Sequence, residues 1–241
     1  MKKLLSICLA VAIALTLFTG CGEQKPKELV MGFVPHRDGD KLIEDVAPLE
    51  EMLSKEMGIK VKAFTATSYV AVVEGFGSGA VDFGLIPPFA SVHASEEFKA
   101  KPILVVVKKN GSTTYKSQLL VRKDSGIKTL EDIKGKKVAF VEAGSTSGYL
   151  FPAALLKEKG IDLEKDIQYL YAGGHDKALQ LLLNGDVDVA ATFADARTRY
   201  AKEFPDAVDV TEVLEYTQDI PGVSITVSSK MDEETVKKLK E

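Results

Sequence analysis

Cysteine and tryptophan are nearly absent from this 241-residue chain, which has two cysteines, Cys8 and Cys21, and no tryptophan. Both cysteines lie close to the N-terminus, so the rest of the chain has no thiol with which to form a disulfide. A hydrophobic core must therefore stabilise the fold, and a chain of this length can build one large domain or two small ones.

Signals of nucleic-acid binding are missing as well. The net charge is −4, and no run of lysine and arginine interleaved with aromatic residues occurs, so we expect no nucleic-acid partner.

Signals of catalysis and of metal binding are also absent. The chain has no nucleophile elbow, and the turn at Gly144 has neither P-loop spacing nor a dinucleotide fingerprint. His36, Asp38 and Asp40 share a loop without a calcium-loop pattern, so we interpret this loop as solvated. His93 has no convincing metal-ligand partner at helical spacing, and we expect a structural role for it. We therefore predict no catalytic residue, no metal and no cofactor.

The N-terminus has the pattern of an export signal. Lys2 and Lys3 precede the uncharged apolar run 4–18, which is shorter than the ~20 residues that a membrane-spanning helix needs. Residues 1–20 are therefore predicted to be a cleaved signal peptide. The ending at Cys21 resembles a bacterial lipobox, which implies a lipid on Cys21 and a membrane-anchored protein on the extracellular or periplasmic side. A plain signal peptide with an incidental cysteine is the alternative.

The segment after the predicted signal is polar. Residues 21–28 carry several charges and are predicted to be a flexible tether. Loss of the signal removes two lysines, so the net charge of the mature chain is about −6.

Strand and helix patterns then alternate, which predicts α/β architecture with mostly parallel sheets. The segments 69–82 and 175–188 share one pattern, namely a helix, a glycine stop and a Val-Asp pair that opens a strand. Coincidence is the alternative, because this pattern is common in α/β proteins. Duplication of a βαβ module would create two lobes with a crevice between them. Tyr69 and His175 would then lie at equivalent helix starts facing one ligand.

The strongest local signal is the segment 142–148, which contains three successive hydroxyl residues, Ser145, Thr146 and Ser147. It lies between an apolar strand and a helix, where backbone N–H groups and the helix dipole favour an anion. An ordinary N-cap with incidental hydroxyls is the alternative. Asp195 follows another strand, where its carboxylate is expected either to cap the next helix or to accept a hydrogen bond from a ligand.

Four segments carry a family resemblance: 124–141, 145–153, 174–176 and 192–197. They resemble the phosphate, phosphite and phosphonate substrate-binding proteins of ABC importers, and the resemblance extends from Leu29 to the end of the chain. It implies the fold of a type II periplasmic binding protein, in which two α/β lobes joined by two hinge strands close on a ligand.

The resemblance also implies a ligand-binding set from both lobes: Tyr69, Ser145, Thr146, Ser147, His175 and Asp195. The hydroxyl turn and the histidine would contact phosphoryl oxygens, the tyrosine would donate from the opposite wall, and the acidic residue would lie in the crevice of lobe two. Ser91 stands where the family commonly has tyrosine. It is a weaker candidate, and its small side chain predicts a roomier or more polar pocket.

The resemblance predicts lobe one at 29–121 and 222–241, with lobe two at 122–221. Lobe one is expected to be C-terminally incomplete, because the chain ends within an amphipathic helix. The implied function is that of a monomeric lipoprotein that captures phosphonate, phosphite or phosphate and delivers it to an ABC permease. The alternatives are a sensor of the same fold, a binding protein for a sulfonate or other small organic ligand, and an enzyme acting on phosphate esters.

Overall fold

The computed structural model describes residues 28–241. The predicted signal peptide, the lipid attachment at Cys21 and most of the predicted tether lie outside this range. Glu28, expected to end the tether, is the first residue of a strand. The first part of the chain forms β1 Glu28–Phe33, α1 Gly39–Met57, β2 Lys60–Thr65, α2 Tyr69–Ser78, β3 Phe83–Ile86, α3 Pro88–Phe98 and β4 Lys101–Val105.

The middle of the chain repeats this alternation. It forms β5 Thr114–Tyr115, β6 Ser117–Arg122, β7 Lys137–Phe140, α4 Phe151–Glu158, β8 Gln168–Tyr171, α5 His175–Asn184, β9 Val189–Phe193, α6 Ala196–Arg199, α7 Ala207–Val210, β10 Thr211–Tyr216 and β11 Ile220–Pro221. A 3₁₀ turn covers Leu130–Ile133, and a π-helical turn covers Thr146–Leu150. The chain then returns through β12 Ser224–Val227 to α8 Glu233–Lys240.

These strands form two five-stranded sheets. Lobe one is built on the sheet β2-β1-β3-β12-β4 and lobe two on the sheet β10-β6-β9-β7-β8, while β5 and β11 pair between them. Each sheet is parallel on one side and antiparallel on the other. β2, β1 and β3 of lobe one and β9, β7 and β8 of lobe two pair in parallel, whereas β12, β4, β6 and β10 pair antiparallel. The sheets are therefore mixed, and not mostly parallel as the sequence pattern predicted. The boundary expected after residue 121 lies within β6, whose residues pair in the lobe-two sheet.

The two segments with the shared sequence pattern adopt the same local structure. α2 ends at Gly79 (φ +86°) and α5 at Gly185 (φ +81°), both in the left-handed conformation that glycine adopts readily. The carboxylate of Asp82 then accepts a hydrogen bond from Val30 N at 2.7 Å, and that of Asp188 accepts one from Lys137 N at 2.9 Å. Each module thus ties the start of its second strand to a neighbouring strand.

The buried apolar side chains form three clusters. One lies within each lobe, beneath α1 in lobe one and beneath α4 in lobe two. The third extends across the boundary, where Val34, Tyr69 and Val73 of lobe one share a cluster with Val141 and Ala178 of lobe two. The lobes are therefore packed against each other. Within residues 28–241, no helix has the length and apolar character to cross a membrane.

The close approach of β1 and β3 allows their pairing in the sheet of lobe one to be tested by a substitution. A Cβ at Gly84 would lie 2.6 Å from the Gly32 carbonyl oxygen of the paired strand. We expect Gly84→Ala to lower the free energy of unfolding by about 1–3 kcal/mol, because the two backbones must separate. Urea unfolding checks this, with Gly39→Ala as the control, since a Cβ there meets nothing closer than 3.9 Å. Equal stability of the two variants would contradict the expectation.

Candidate functional site

A cavity of about 500 Å³ lies between the two lobes. Its lobe-one wall comes from the loop after β1, the start of α2 and the loop after β3. Its lobe-two wall is formed by Ser145, Ser147, His175, Phe193, Ala194, Asp195 and Arg199. The cavity therefore collects chain segments that follow the carboxyl ends of strands in both sheets, as ligand sites of open α/β sheets do.

The hydroxyl turn contributes to the lobe-two wall of this cavity. Ser145 caps the π-helical turn, because its Oγ accepts a hydrogen bond from Gly148 N at 3.0 Å. Ser145 and Ser147 are buried and line the cavity. Thr146 is buried too, but its Oγ1 accepts a hydrogen bond from Phe89 N of lobe one at 3.1 Å. Two of the three predicted hydroxyls thus reach the cavity, and the third contacts the opposite lobe.

Tyr69 faces the hydroxyl turn from lobe one. It is the first residue of α2, after Ser68, whose Oγ caps the helix. Burial raises the pKa of the Tyr69 hydroxyl well above its ordinary value, and an interaction with the Ser145 hydroxyl only partly offsets this. The side chain therefore remains a neutral hydrogen-bonding group in the cavity wall.

Glu142 joins the two walls. Its carboxylate accepts a hydrogen bond from Tyr69 N at 2.7 Å, across the boundary between the lobes. Burial raises the pKa of this carboxyl, while the bond from Tyr69 acts in the opposite direction.

His175 begins α5 on the lobe-two side. It is buried, its Nδ1 lies 2.8 Å from Thr192 Oγ1, and its ring packs edge-on against Phe193. Burial, together with the neighbouring His36, lowers the pKa of His175 to about 3. The imidazole is therefore neutral, and Nε2 remains as its second hydrogen-bonding atom.

His36 corrects the expectation of a solvated loop. Asp38 and Asp40 are exposed, but His36 is half-buried and lines the cavity. Burial, with the nearby Arg199 guanidinium, lowers the pKa of His36 to about 4. Across residues 28–241, no three carboxylate, histidine or cysteine side chains are grouped so that they could hold a metal ion.

Asp195 lies at the rim of the cavity and is exposed. Its side chain makes no capping hydrogen bond to α6, so Asp195 does not have the capping role that was the alternative expectation. The lining also contains Asp45 and three cations, Arg37, Lys108 and Arg199.

Ser91 is buried in α3 away from the cavity lining. Its Oγ lies 2.8 Å from Thr226 Oγ1 on β12, so the hydroxyl ties α3 to the sheet of lobe one. The structure therefore does not bring Ser91 together with the other candidates.

Sequence reasoning missed Tyr115. This residue lies in β5, on the segment that crosses between the lobes, and lines the cavity. Burial raises the pKa of its hydroxyl, and interactions with the hydroxyls of Ser147 and Thr146 partly offset the effect. The only signal was an aromatic residue in a polar segment, 112–117, between two apolar strands, which does not indicate where the segment lies.

Comparison with known proteins identifies the family. Residues 31–241 match the model for the periplasmic substrate-binding protein of phosphonate ABC transporters. The chain belongs to this family. The family resemblance and the fold class expected from the sequence are thereby confirmed, since structural neighbours are type II periplasmic binding proteins.

Two relatives and one solved structure illustrate the similarity. The phosphate-import protein PhnD of Mycolicibacterium smegmatis is 37% identical over 178 residues, covering 70% of this chain and 56% of that protein. The phosphonates-binding periplasmic protein of Escherichia coli is 25% identical over 221 residues, covering 90% and 65%. The chain thus spans well under the full length of both proteins.

The structural similarity is closer than the sequence identity suggests. The binding protein of a phosphonate ABC transporter from Pseudomonas aeruginosa superimposes with a TM-score of 0.84 at 24% identity, over 90% of this chain and 73% of that one. The two proteins therefore share their fold.

Gly144 provides a test of the contact between the lobes. A Cβ at this position would lie 2.6 Å from Tyr69 Cβ in the other lobe. We expect Gly144→Ala to open the cleft, which would increase the radius of gyration in small-angle X-ray scattering and speed amide exchange at Tyr69. Ala143→Ser, at the exposed neighbouring position, is the control. An unchanged Tyr69 exchange rate in Gly144→Ala would contradict the expectation that this substitution opens the cleft.

The lowered pKa values of His36 and His175 predict a pH dependence of stability. Both pKa values are lower in the folded state than the ordinary 6.5, so the unfolded chain binds protons first as the pH falls. The folded state is therefore fully stable above pH 6.5 and loses stability as the pH falls toward about 4 for His36 and about 3 for His175. Between pH 6.5 and 5, each histidine should lower the free energy of unfolding by about 2 kcal/mol. We expect His175→Gln to remove about half of the combined loss attributed to the two histidines in urea unfolding at pH 7 and 5.

The control for this measurement is His93→Gln, which removes a histidine on α3 outside the cavity lining. A His175→Gln variant that kept the full pH dependence of the unsubstituted protein would refute the assignment of this loss to His175.

Proposed function

We propose that this chain is the binding component of an ABC importer that captures a small phosphorus oxyanion, namely phosphonate, phosphite or phosphate, and delivers it to the permease. The observation that carries the proposal is the cavity itself. Ser145 and Ser147 line it at the start of a helix, and Tyr69 and His175 line it as neutral groups. The family match and the names of the two relatives, one for phosphate import and one for phosphonate binding, support this ligand class.

The chemistry of these groups suits reversible capture. Hydroxyls donate to anionic oxygens without a full positive charge beside the ligand, while helix N-termini supply a partial one. Exclusion of water by lobe closure strengthens each hydrogen bond. No activated nucleophile pairs with a base in this set, so we infer a binding protein and not an enzyme.

Acceptors in the cavity favour phosphorus over sulfur oxyanions. A phosphate or phosphonate monoanion retains a P–OH that can donate a hydrogen bond, whereas sulfate and sulfonates are fully ionised at neutral pH. The neutral His175 ring and the Asp195 carboxylate are candidate acceptors for that proton. A charged amine on the ligand would also suit Asp195.

We further propose that the protein acts outside the cytoplasm as a monomer anchored by lipid on Cys21. The sequence pattern of residues 1–21 supports this proposal, as does the periplasmic description of the family. Ligand sensing is the alternative role. Co-purification with a permease would support transport, and co-purification with a kinase would support sensing.

Calorimetric titration tests the ligand class. The chain from Gly22 onward would be titrated with phosphate, phosphite, methylphosphonate, 2-aminoethylphosphonate and sulfate. We expect one phosphorus anion to bind tightly, with the dissociation constant rising at least tenfold in Ser145→Ala and His175→Ala because each removes a buried hydrogen-bonding group worth about 1.4 kcal/mol or more.

Ser125→Ala, in a turn outside the cavity lining, is the matched control and should bind as the unsubstituted chain does. Tight binding of sulfate or of a sulfonate would favour the alternative ligand class. Failure of every phosphorus anion to bind a folded chain would overturn the proposal.

A further inference from the structure

The loop between β1 and α1 makes several contacts with lobe two. The carbonyl of His36 accepts hydrogen bonds from His175 N at 3.0 Å and from the Tyr200 hydroxyl at 3.3 Å. Asp38 N donates to the Asp176 carboxylate at 3.0 Å. This loop therefore touches the first turn of α5, which also carries the histidine of the cavity.

Arg37 adds a charged contact at the centre of this loop. Its Nη2 lies 2.7 Å from the Glu203 carboxylate of lobe two, and its guanidinium lies 5.8 Å from the centre of the Tyr200 ring. The arginine side chain is 14% exposed and the Glu203 side chain is 24% exposed, so the pair is screened less by solvent than a surface pair. Lys41 approaches the same carboxylate at 3.8 Å.

Asp45 holds the arginine on its own lobe. This residue lies in α1, and its carboxylate accepts a hydrogen bond from Arg37 Nη1. Because Arg37, Asp45 and the loop all belong to lobe one, this contact persists when the lobes separate, whereas the contacts with Glu203 and Tyr200 exist only when they are together. The arginine is thus pre-positioned for one state of the protein, and an interaction made in one state alone shifts the population toward it.

We propose that Arg37 is a positioning residue that latches the cleft shut through Glu203 and Tyr200, and that this latch sets how tightly the ligand is held. The latch deepens the proposed function, since it acts on the same cavity, but its effect on closure does not require a ligand. It is coupled to the cavity through the His36 carbonyl, which connects the loop to His175 and Tyr200.

A direct contact between Arg37 and the ligand is the competing role. The Arg37 side chain lines the cavity, and its Nε is buried without a hydrogen-bond partner in the part of the chain that the structure describes. The two roles differ in one respect. A latch loses its effect when Glu203 is neutralised, whereas a ligand contact does not.

A double-mutant cycle with amide exchange tests the latch. Exchange at His175 N–H, measured by NMR on the ligand-free chain, reports closure directly, because this group donates across the boundary between the lobes. We expect Arg37→Met and Glu203→Gln each to speed this exchange about tenfold. The double variant should exchange about as fast as Arg37→Met, since that substitution already removes the contacts with both Glu203 and Tyr200.

Lys128→Met and Glu212→Gln form the matched control, because this pair has the same separation of 2.7 Å but lies wholly within lobe two. Neither control should change exchange at His175. Exchange that is unaffected by Arg37→Met and Glu203→Gln, or affected equally by the control pair, would overturn the latch.

Binding of methylphosphonate and phosphate to the same variants separates the remaining outcomes. A latch predicts that the dissociation constant rises in both Arg37→Met and Glu203→Gln, and that the double variant binds no more weakly than Arg37→Met. Weaker binding in Arg37→Met with unchanged exchange at His175 would assign the arginine to the ligand and refute the latch. Faster exchange in both variants, with neither anion bound by the unsubstituted chain, would support the latch and count against the proposed function.

Discussion

The contact of the lobe-two turn 142–147 with the first residues of two lobe-one helices determines the shape of the cavity. Glu142 accepts the hydrogen bond of Tyr69 N, and Thr146 accepts that of Phe89 N. Both N–H groups lie in first turns, where a helix has no internal partner for them. Because the turn satisfies these groups as it excludes water from them, the lobes can approach closely enough to enclose Ser145 and Ser147.

Neutral groups dominate the wall that this contact creates. Burial keeps His175 unprotonated and Tyr69 protonated, so these two polar groups of the lining carry no net charge. The cations and carboxylates of the lining lie on other segments, including the loop that carries Arg37 and the rim at Asp195. The charged side chains of the lining thus lie on other segments than the neutral groups His175 and Tyr69.

Much of this site follows from local sequence patterns. The hydroxyl turn was predictable because an apolar strand, three hydroxyl residues and a helical segment follow one another in the chain. Tyr69 and His175 were predictable as a pair because two segments repeat one pattern, and the glycine stops at 79 and 185 adopt the left-handed conformation in both. Each of these inferences concerns residues within a single βα unit, where backbone geometry links sequence to position.

Other residues could not be placed in this way. Ser91 aligned with a family position but bonds to Thr226, 135 residues away along the chain. Tyr115 lies in a two-residue strand whose partner is β11, near the other end of lobe two. Arg37 looked like part of a solvated loop, yet it reaches Glu203, 166 residues later. All three depend on contacts between distant segments, which no local period or spacing encodes.

The sequence by itself thus determined the alternation of strands and helices, the glycine stops of α1, α2 and α5, and the chemistry of the hydroxyl turn. These features arise from hydrophobic periodicity, capping side chains and glycine conformations, which act over a few residues. Only the tertiary structure decided which hydroxyls face the cavity, which buried groups are neutral and which loop joins the lobes. These properties depend on burial and on the packing of one lobe against the other, and both arise only when segments far apart in the chain are brought together.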